Sequence, residues 1–306
     1  INIDFNETKE IEEYAFYSCI GITNLTLGNS IQKVWHYAFR NCTGIKEIFV
    51  PKQLLSNDFG KGVFYGCKGL TGATKFPDHF TYIPQEYFDS CTGLTELKIP
   101  PSITEIKLGA FRYCISLKKC EIPTTVTYIR NYAFRGCTGF RGNLSLHNDL
   151  HVGFYSFYEC RGFDGYLILH GKYNAGQYSF SHCTGFIGLI FDEGITSISY
   201  GAFYNCTGMK GSLVLPTTLT EISSFAFYNC SGFTGDLNLY NVLGVIGSYA
   251  FYQCSGFDGY LTLSPGLIGI NNYSFYRCSN LRGFLNVSIF VDFVSSFAFY
   301  GCEKLT

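Results

Sequence analysis

Apolar positions along the chain follow two spacings that trade places at regular intervals. In "SLVLP", Leu213 and Leu215 alternate with Ser212 and Val214, a two-residue period that predicts a short strand. Pro216 closes it, because proline cannot donate to a ladder. In the following "TTLTEIS", Leu219 and Ile222 stand three apart and turn inward. Upstream, in "AFYNC", Ala202 and Cys206 are four apart and Phe203 and Cys206 three apart. Those spacings share one face of a helical turn. A short helix or 3-10 turn is therefore predicted there, with Ala, Phe and Cys inward and Tyr204 aside. Gly208, two residues past the cysteine, is expected to stop the turn in a left-handed conformation. Strand, turn, short helix, turn make one coil, and one coil cannot bury its apolar side alone.

The coil recurs. An aromatic three residues before a cysteine appears thirteen times, from Phe16/Cys19 to Phe299/Cys302, at steps of 23 to 25 residues. A fixed period in that range marks a solenoid whose repeats touch only their neighbours. The expected fold is α/β: one right-handed solenoid domain over residues 1–306, with one short parallel strand and one short helix or 3-10 turn per repeat. At strand spacing its coils would run roughly 60 Å. Early coils have a short link from cysteine to strand, as in "CTGLTELKIP". Most coils from Cys137 onward insert a residue and a second glycine, as in "CSGFDGYLTL". The chain opens on Ile1 inside a repeat and stops at Thr306 where another strand should begin, so it reads as a fragment of a longer chain.

Fourteen cysteines would suggest a disulfide framework, but the spacing argues against one. Thirteen hold the same repeat position and should stack in parallel, about 4.8 Å apart. A disulfide needs converging Cβ atoms about 3.8 Å apart. Each therefore reads as a small buried apolar residue. Cys120 replaces Leu97 of the preceding coil and also reads as core.

The pattern "LxxLxIPxxIxxIxxxAFxxC" fits Leu94–Cys114 ("LTELKIPPSITEIKLGAFRYC") and Leu117–Cys137 ("LKKCEIPTTVTYIRNYAFRGC"). It resembles the BspA-like leucine-rich-repeat (LRR) family over essentially the whole chain. That resemblance implies a leucine-rich-repeat scaffold without catalytic residues. It further implies a surface or secreted protein with an adhesive role toward host matrix proteins or other cells.

On such a scaffold, side chains between the core leucines of each strand face outward. Early rungs carry Glu and Lys of alternating sign. Later rungs carry Tyr166 and Ile168, Ser212 and Val214, Asp236 and Asn238, Tyr260 and Thr262, and Phe284. Aromatics with few charges match the composition of protein-binding surfaces, although Tyr, Ile, Val and Thr are also ordinary strand residues. A tyrosine stripe beside the inward Phe, including Tyr17, Tyr204, Tyr228, Tyr252, Tyr276 and Tyr300, offers a sugar or protein contact, or simply packs on itself with its hydroxyls in water. His147, His170 and Asp192 take the proline position of three successive coils, beside Asp149 and His151. They are the weak candidate for a divalent metal, set against an ordinary polar cluster. No dedicated metal or cofactor motif is present, and no cofactor is expected.

Net charge of −1 with only 15% charged residues gives no basic excess for nucleic acid. No run approaches 18 apolar residues, so no membrane span is expected. Eight N-x-S/T sequons occur, at Asn6, Asn24, Asn41, Asn143, Asn205, Asn229, Asn272 and Asn286. The expected function is non-enzymatic binding or adhesion, at the cell surface or secreted, toward a protein or glycan partner through the strand face. An intracellular scaffold is the alternative, and a carbohydrate- or metal-dependent enzyme the weakest reading.

Overall fold

The computed structural model describes residues 2–5, 7–172 and 174–306, so the sequon at Asn6 lies outside the described residues. The chain packs as two compact units, Ile1–Arg141 with His151–Cys160, and Gly142–Leu150 with Arg161–Thr306. Every strand pairing assigned within each unit is parallel and joins equivalent positions of successive coils.

In the first unit, Asn2–Asp4, Asn24–Thr26 and Glu47–Phe49 form one ladder in register. A second ladder runs through Tyr82–Ile83, Glu105–Ile106, Tyr128–Ile129 and His151–Val152. In the second unit, Leu144–Leu146, Tyr166–Leu169 and Gly188–Phe191 pair, as do Leu237–Leu239 and Leu261–Leu263. Its second ladder joins Ser197–Ile198, Glu221–Ile222, Val245–Ile246, Gly269–Ile270 and Phe293–Val294. The "TTLTEIS" stretch therefore contributes a second short strand at Glu221–Ile222, with Ile222 buried.

The expected helix per repeat does not form. Among the described residues the helical element is a single 3-10 turn, Ser56–Asp58. In all thirteen repeats the residues two before and two after the aromatic have φ between +53° and +75°. Hydrogen bonding alternates accordingly. Phe225, Phe227 and Asn229 donate their amides to Ser248, Ala250 and Tyr252 of the next coil at 2.7–2.9 Å. Tyr228 and Cys230 donate to Phe225 and Phe227 of their own turn at 3.0–3.1 Å. An α-helix would spend every amide internally; here every second one pins the neighbouring coil. The right-handed sense expected for the coil rests on the general preference of parallel crossovers.

Gly208 also differs from expectation. It is not among the positive-φ residues; a Cβ there would run into the carbonyl oxygens of Thr184 and Phe186. Close approach of two coil backbones, rather than a left-handed stop, requires glycine.

The aromatics and thiols form interior columns. In the second unit, Phe203, Phe227, Phe251 and Phe275 stack with centroids 5.3–5.5 Å apart and are at most 1% exposed. None of the fourteen cysteines is joined in a disulfide, and all but Cys19 are buried. Their sulfurs do more than fill space. From Cys42 to Cys160 in the first unit, each repeat-position thiol donates to the carbonyl of the aromatic one coil back, at 2.9–3.2 Å. The same bond recurs from Cys206 to Cys302 in the second unit.

Candidate binding surface on the strand face

Turn chemistry in the long coils fixes the side chains that the second unit displays. Gly142 and Gly235 have φ of +74° and +79°, and their amides donate to Asp164 and Asp258 of the next coil at 2.6 and 2.8 Å. The residues that follow, Asn143 and Asp236, accept the amides of Tyr166 and Tyr260, both at 2.8 Å. Each tyrosine then lies over a glycine of the next coil. A Cβ on Gly188 or on Gly283 would stand 2.6 Å from the ring of Tyr166 or Tyr260. The two rings are thus held by the same device, coil after coil, and remain 43% and 62% exposed. Rigid, partly wet tyrosines lose little conformational entropy when a partner covers them.

Between these tyrosines the strand ladder breaks. The stretch Ser212–Pro216, expected as a strand, forms none; beside it a bridge joins Gly211 to Phe233. A cleft of about 310 Å³ opens there, lined by Ser212, Val214, Pro216, Asp236, Asn238 and Asn241 among others. Ser212, Val214, Asp236 and Asn238 are among the residues expected on the strand face. Ile168 is half-buried on the same face, whereas Phe284 is 87% exposed. Thr262 lines a neighbouring groove of about 450 Å³ with Tyr240 and Asn286. Tyr240, 56% exposed, escaped the alignment. Its signal was the missing proline: "LNLYN" continues where "SLVLP" stops.

The first unit's strand face is different. Glu47 meets Lys75 at 3.4 Å, and Glu96 meets Lys98 at 3.3 Å. Exposed pairs of this kind neutralise each other and contribute little stability.

Of the histidine cluster, His170 and Asp192 come together beside Ser145. His170 places Nδ1 2.7 Å from Asp192 Oδ2 and Nε2 3.0 Å from Ser145 Oγ. His147 turns its Nδ1 to the Asn148 carbonyl at 2.8 Å. His151, in the first unit, stacks on Tyr128 with centroids 4.7 Å apart. Among the described residues no group of three His, Cys, Asp or Glu side chains is placed to hold a metal.

The tyrosine stripe packs on itself. Tyr204, Tyr228, Tyr252, Tyr276 and Tyr300 form one column with centroids 4.4, 4.6, 4.8 and 5.0 Å apart. Burial within the column, reinforced by the Tyr204 and Tyr252 hydroxyls, pushes the Tyr228 phenol up to about 12.

A family model described as BspA type leucine rich repeat region matches residues 9–141, 57–186 and 173–306. The chain belongs to the BspA-type leucine-rich-repeat family. A leucine-rich repeat protein from Bacteroides ovatus is similar in structure at 19% identity, with 99% of this chain and 84% of that one covered and a TM-score of 0.65. A second, from Eubacterium ventriosum, is also 19% identical, with 96% and 80% covered and a TM-score of 0.55. At that identity the likeness is one of fold. No curated protein matches the chain. Among the described residues no helix is long and apolar enough to cross a membrane.

Proposed function

We propose that this BspA-type protein is a non-enzymatic adhesin, at the cell surface or secreted, built on one leucine-rich-repeat domain through residues 1–306. It grips a protein partner with the strand face of its second unit. The carrying observation is the pair of glycine-seated tyrosines, Tyr166 and Tyr260, flanking the 310 Å³ cleft at Val214 and Asn238. Preorganised aromatics around a partly apolar recess suit the hot spots of protein interfaces. The family resemblance supports the surface setting. Free thiols would also suit a reducing compartment, but stacked parallel sulfurs have no partner geometry in either setting, so they do not favour the intracellular scaffold.

Purified fibronectin, laminin and collagen, immobilised separately, test the reading. The intact chain should bind at least one. Tyr166→Ala and Tyr260→Ala should each weaken that binding by roughly 30-fold, as for a hot-spot loss of about 2 kcal/mol. Binding equal to wild type in both variants would move the site off this face.

A further inference from the structure

The turn side of the second unit carries a groove of about 780 Å³ that the strand-face reading does not use. Its lining holds a row of Asn229, Gln253 and Arg277 and a second row of Ser231, Ser255 and Ser279, each at one position per coil, together with Tyr300, Gly301 and Glu303. We infer that this groove binds a linear, neutral, β-linked polysaccharide, laid along the coils at one sugar per coil.

Pitch is the first argument. Rows on successive coils repeat at the spacing of the adjoining tyrosine column, 4.4–5.0 Å. An equatorially linked pyranose chain advances by nearly the same distance per sugar, so successive sugars, each turned relative to the last, reach the donors and acceptors of successive coils; serine hydroxyls and amides that both donate and accept serve either orientation. Many modest contacts at matched spacing add up as linked binding events do.

Preorganisation is the second. Asn229, Gln253 and Arg277 sit at φ of +53°, +56° and +55°. Their amides are each fixed at 2.7 Å to the next coil, on Tyr252, Tyr276 and Tyr300. The Arg277 guanidinium lies 5.4 Å from the Tyr276 ring centroid. The Asn229 amide donates to Asn205 Oδ1 at 2.7 Å, which orients its own oxygen. Planar amide and guanidinium groups present paired hydrogen-bonding atoms, the complement of vicinal sugar hydroxyls. The serines add hydroxyls that both donate and accept.

Charge and composition select the ligand class. Arg277 and Glu303 are the charged residues in the lining, and they cancel, so a polyanion has nothing to neutralise. Apart from Tyr300 there is no apolar side chain in the lining, and so no anchor of the kind a protein partner needs. The equivalent positions of the first unit hold Asn41, Gly66 and Ser90, and Thr43, Lys68 and Thr92, followed by Tyr113 and Ile115. That mixture keeps no continuous polar row.

The test is calorimetric titration of the intact chain with cellobiose, cellotetraose, cellohexaose and xylohexaose, with a heparin hexasaccharide as the charged comparison. Binding should strengthen at least about 10-fold from cellobiose to a neutral hexasaccharide, as contacts on successive coils are linked. Gln253→Gly and Arg277→Gly remove the side chains at a backbone conformation that Gly66, Gly136 and Gly301 already occupy in their own repeats, so folding is preserved. Each should weaken hexasaccharide binding several-fold with an unchanged melting temperature, whereas Tyr260→Ala should leave it intact. The inference is overturned if neither neutral hexasaccharide binds, if affinity is independent of length, if heparin binds more tightly, or if both glycine variants bind like wild type.

Discussion

Consider the buried thiols as pH is raised from 7 to 9 in the presence of a reductant. Burial, as the first cause, pushes Cys42 and Cys302 up to about 11 and Cys206 up to about 12. It holds Cys67, Cys91, Cys230, Cys254 and Cys278 well above the ordinary thiol range. In the unfolded chain the same groups titrate near about 8.5. A group whose folded pKa is raised contributes stability that is fully present below the unfolded value. That stability is lost as pH rises from there toward the folded value, because only the unfolded state releases the proton. Between pH 8 and pH 9 the loss is about 0.7 kcal/mol per thiol. For the twelve thiols that burial raises it sums to roughly 8 kcal/mol, against a usual total of about 5–15 kcal/mol.

At about 2.1 cal/mol/K of unfolding entropy per residue, 306 residues convert that loss to a fall in melting temperature of roughly 12 °C. Thermal melts by circular dichroism at pH 7, 8 and 9 measure it directly. Tyrosine in an unfolded chain releases its proton only near about 10, so the window is diagnostic of thiols. A Cys230→Ala, Cys254→Ala, Cys278→Ala triple variant should be less stable at pH 7, yet its slope should be flatter by about a quarter, as three of the twelve raised thiols are gone. A melting temperature that moves by less than about 3 °C between pH 8 and 9 would refute the reasoning. The sulfurs would then be solvated in the folded state or already joined.

Two further outcomes follow from packing. Phe227→Ala empties a site between Phe203 and Phe251, each 5.3 Å away; urea unfolding should show a loss of about 3–5 kcal/mol, and a loss below about 1 kcal/mol would remove that ring from the core. Gly188→Ala puts a carbon 2.6 Å from the Tyr166 ring, which should swing aside at a stability cost of about 0.5–1.5 kcal/mol; matrix-protein binding should fall as far as in Tyr166→Ala, and unchanged binding would mean that the ring's seat is irrelevant.

Much of this arrangement was legible because it is periodic. The Phe203 and Cys206 spacing marked an interior column, and the strand-face alignment marked four of the residues that line the cleft. What stayed hidden depends on neighbouring coils. Positive φ at Tyr249 or Tyr273 (58° at each) is disfavoured for a bulky side chain in isolation. It is tolerated because the next coil accepts the amide and the rings stack 4.8 Å apart. A three-four spacing could not separate that geometry from a helix, since both turn the same residues inward. Ser212–Pro216 kept its two-residue period but lost its ladder, and pairing is a property of two coils rather than one.

The choice of cysteine follows from the same inter-coil logic. The position is fully buried at Cys206, Cys230 and Cys254, so it needs a small apolar group. It also faces the carbonyl of the preceding aromatic at 3.0–3.1 Å, so a donor there is satisfied. Alanine fills the first requirement and not the second. Serine supplies a donor at the expense of burying a more polar hydroxyl. A thiol does both, as a small hydrophobe with a weak S–H donor. Repetition multiplies that small preference along the chain, and the same repetition gives the alkaline transition its steepness.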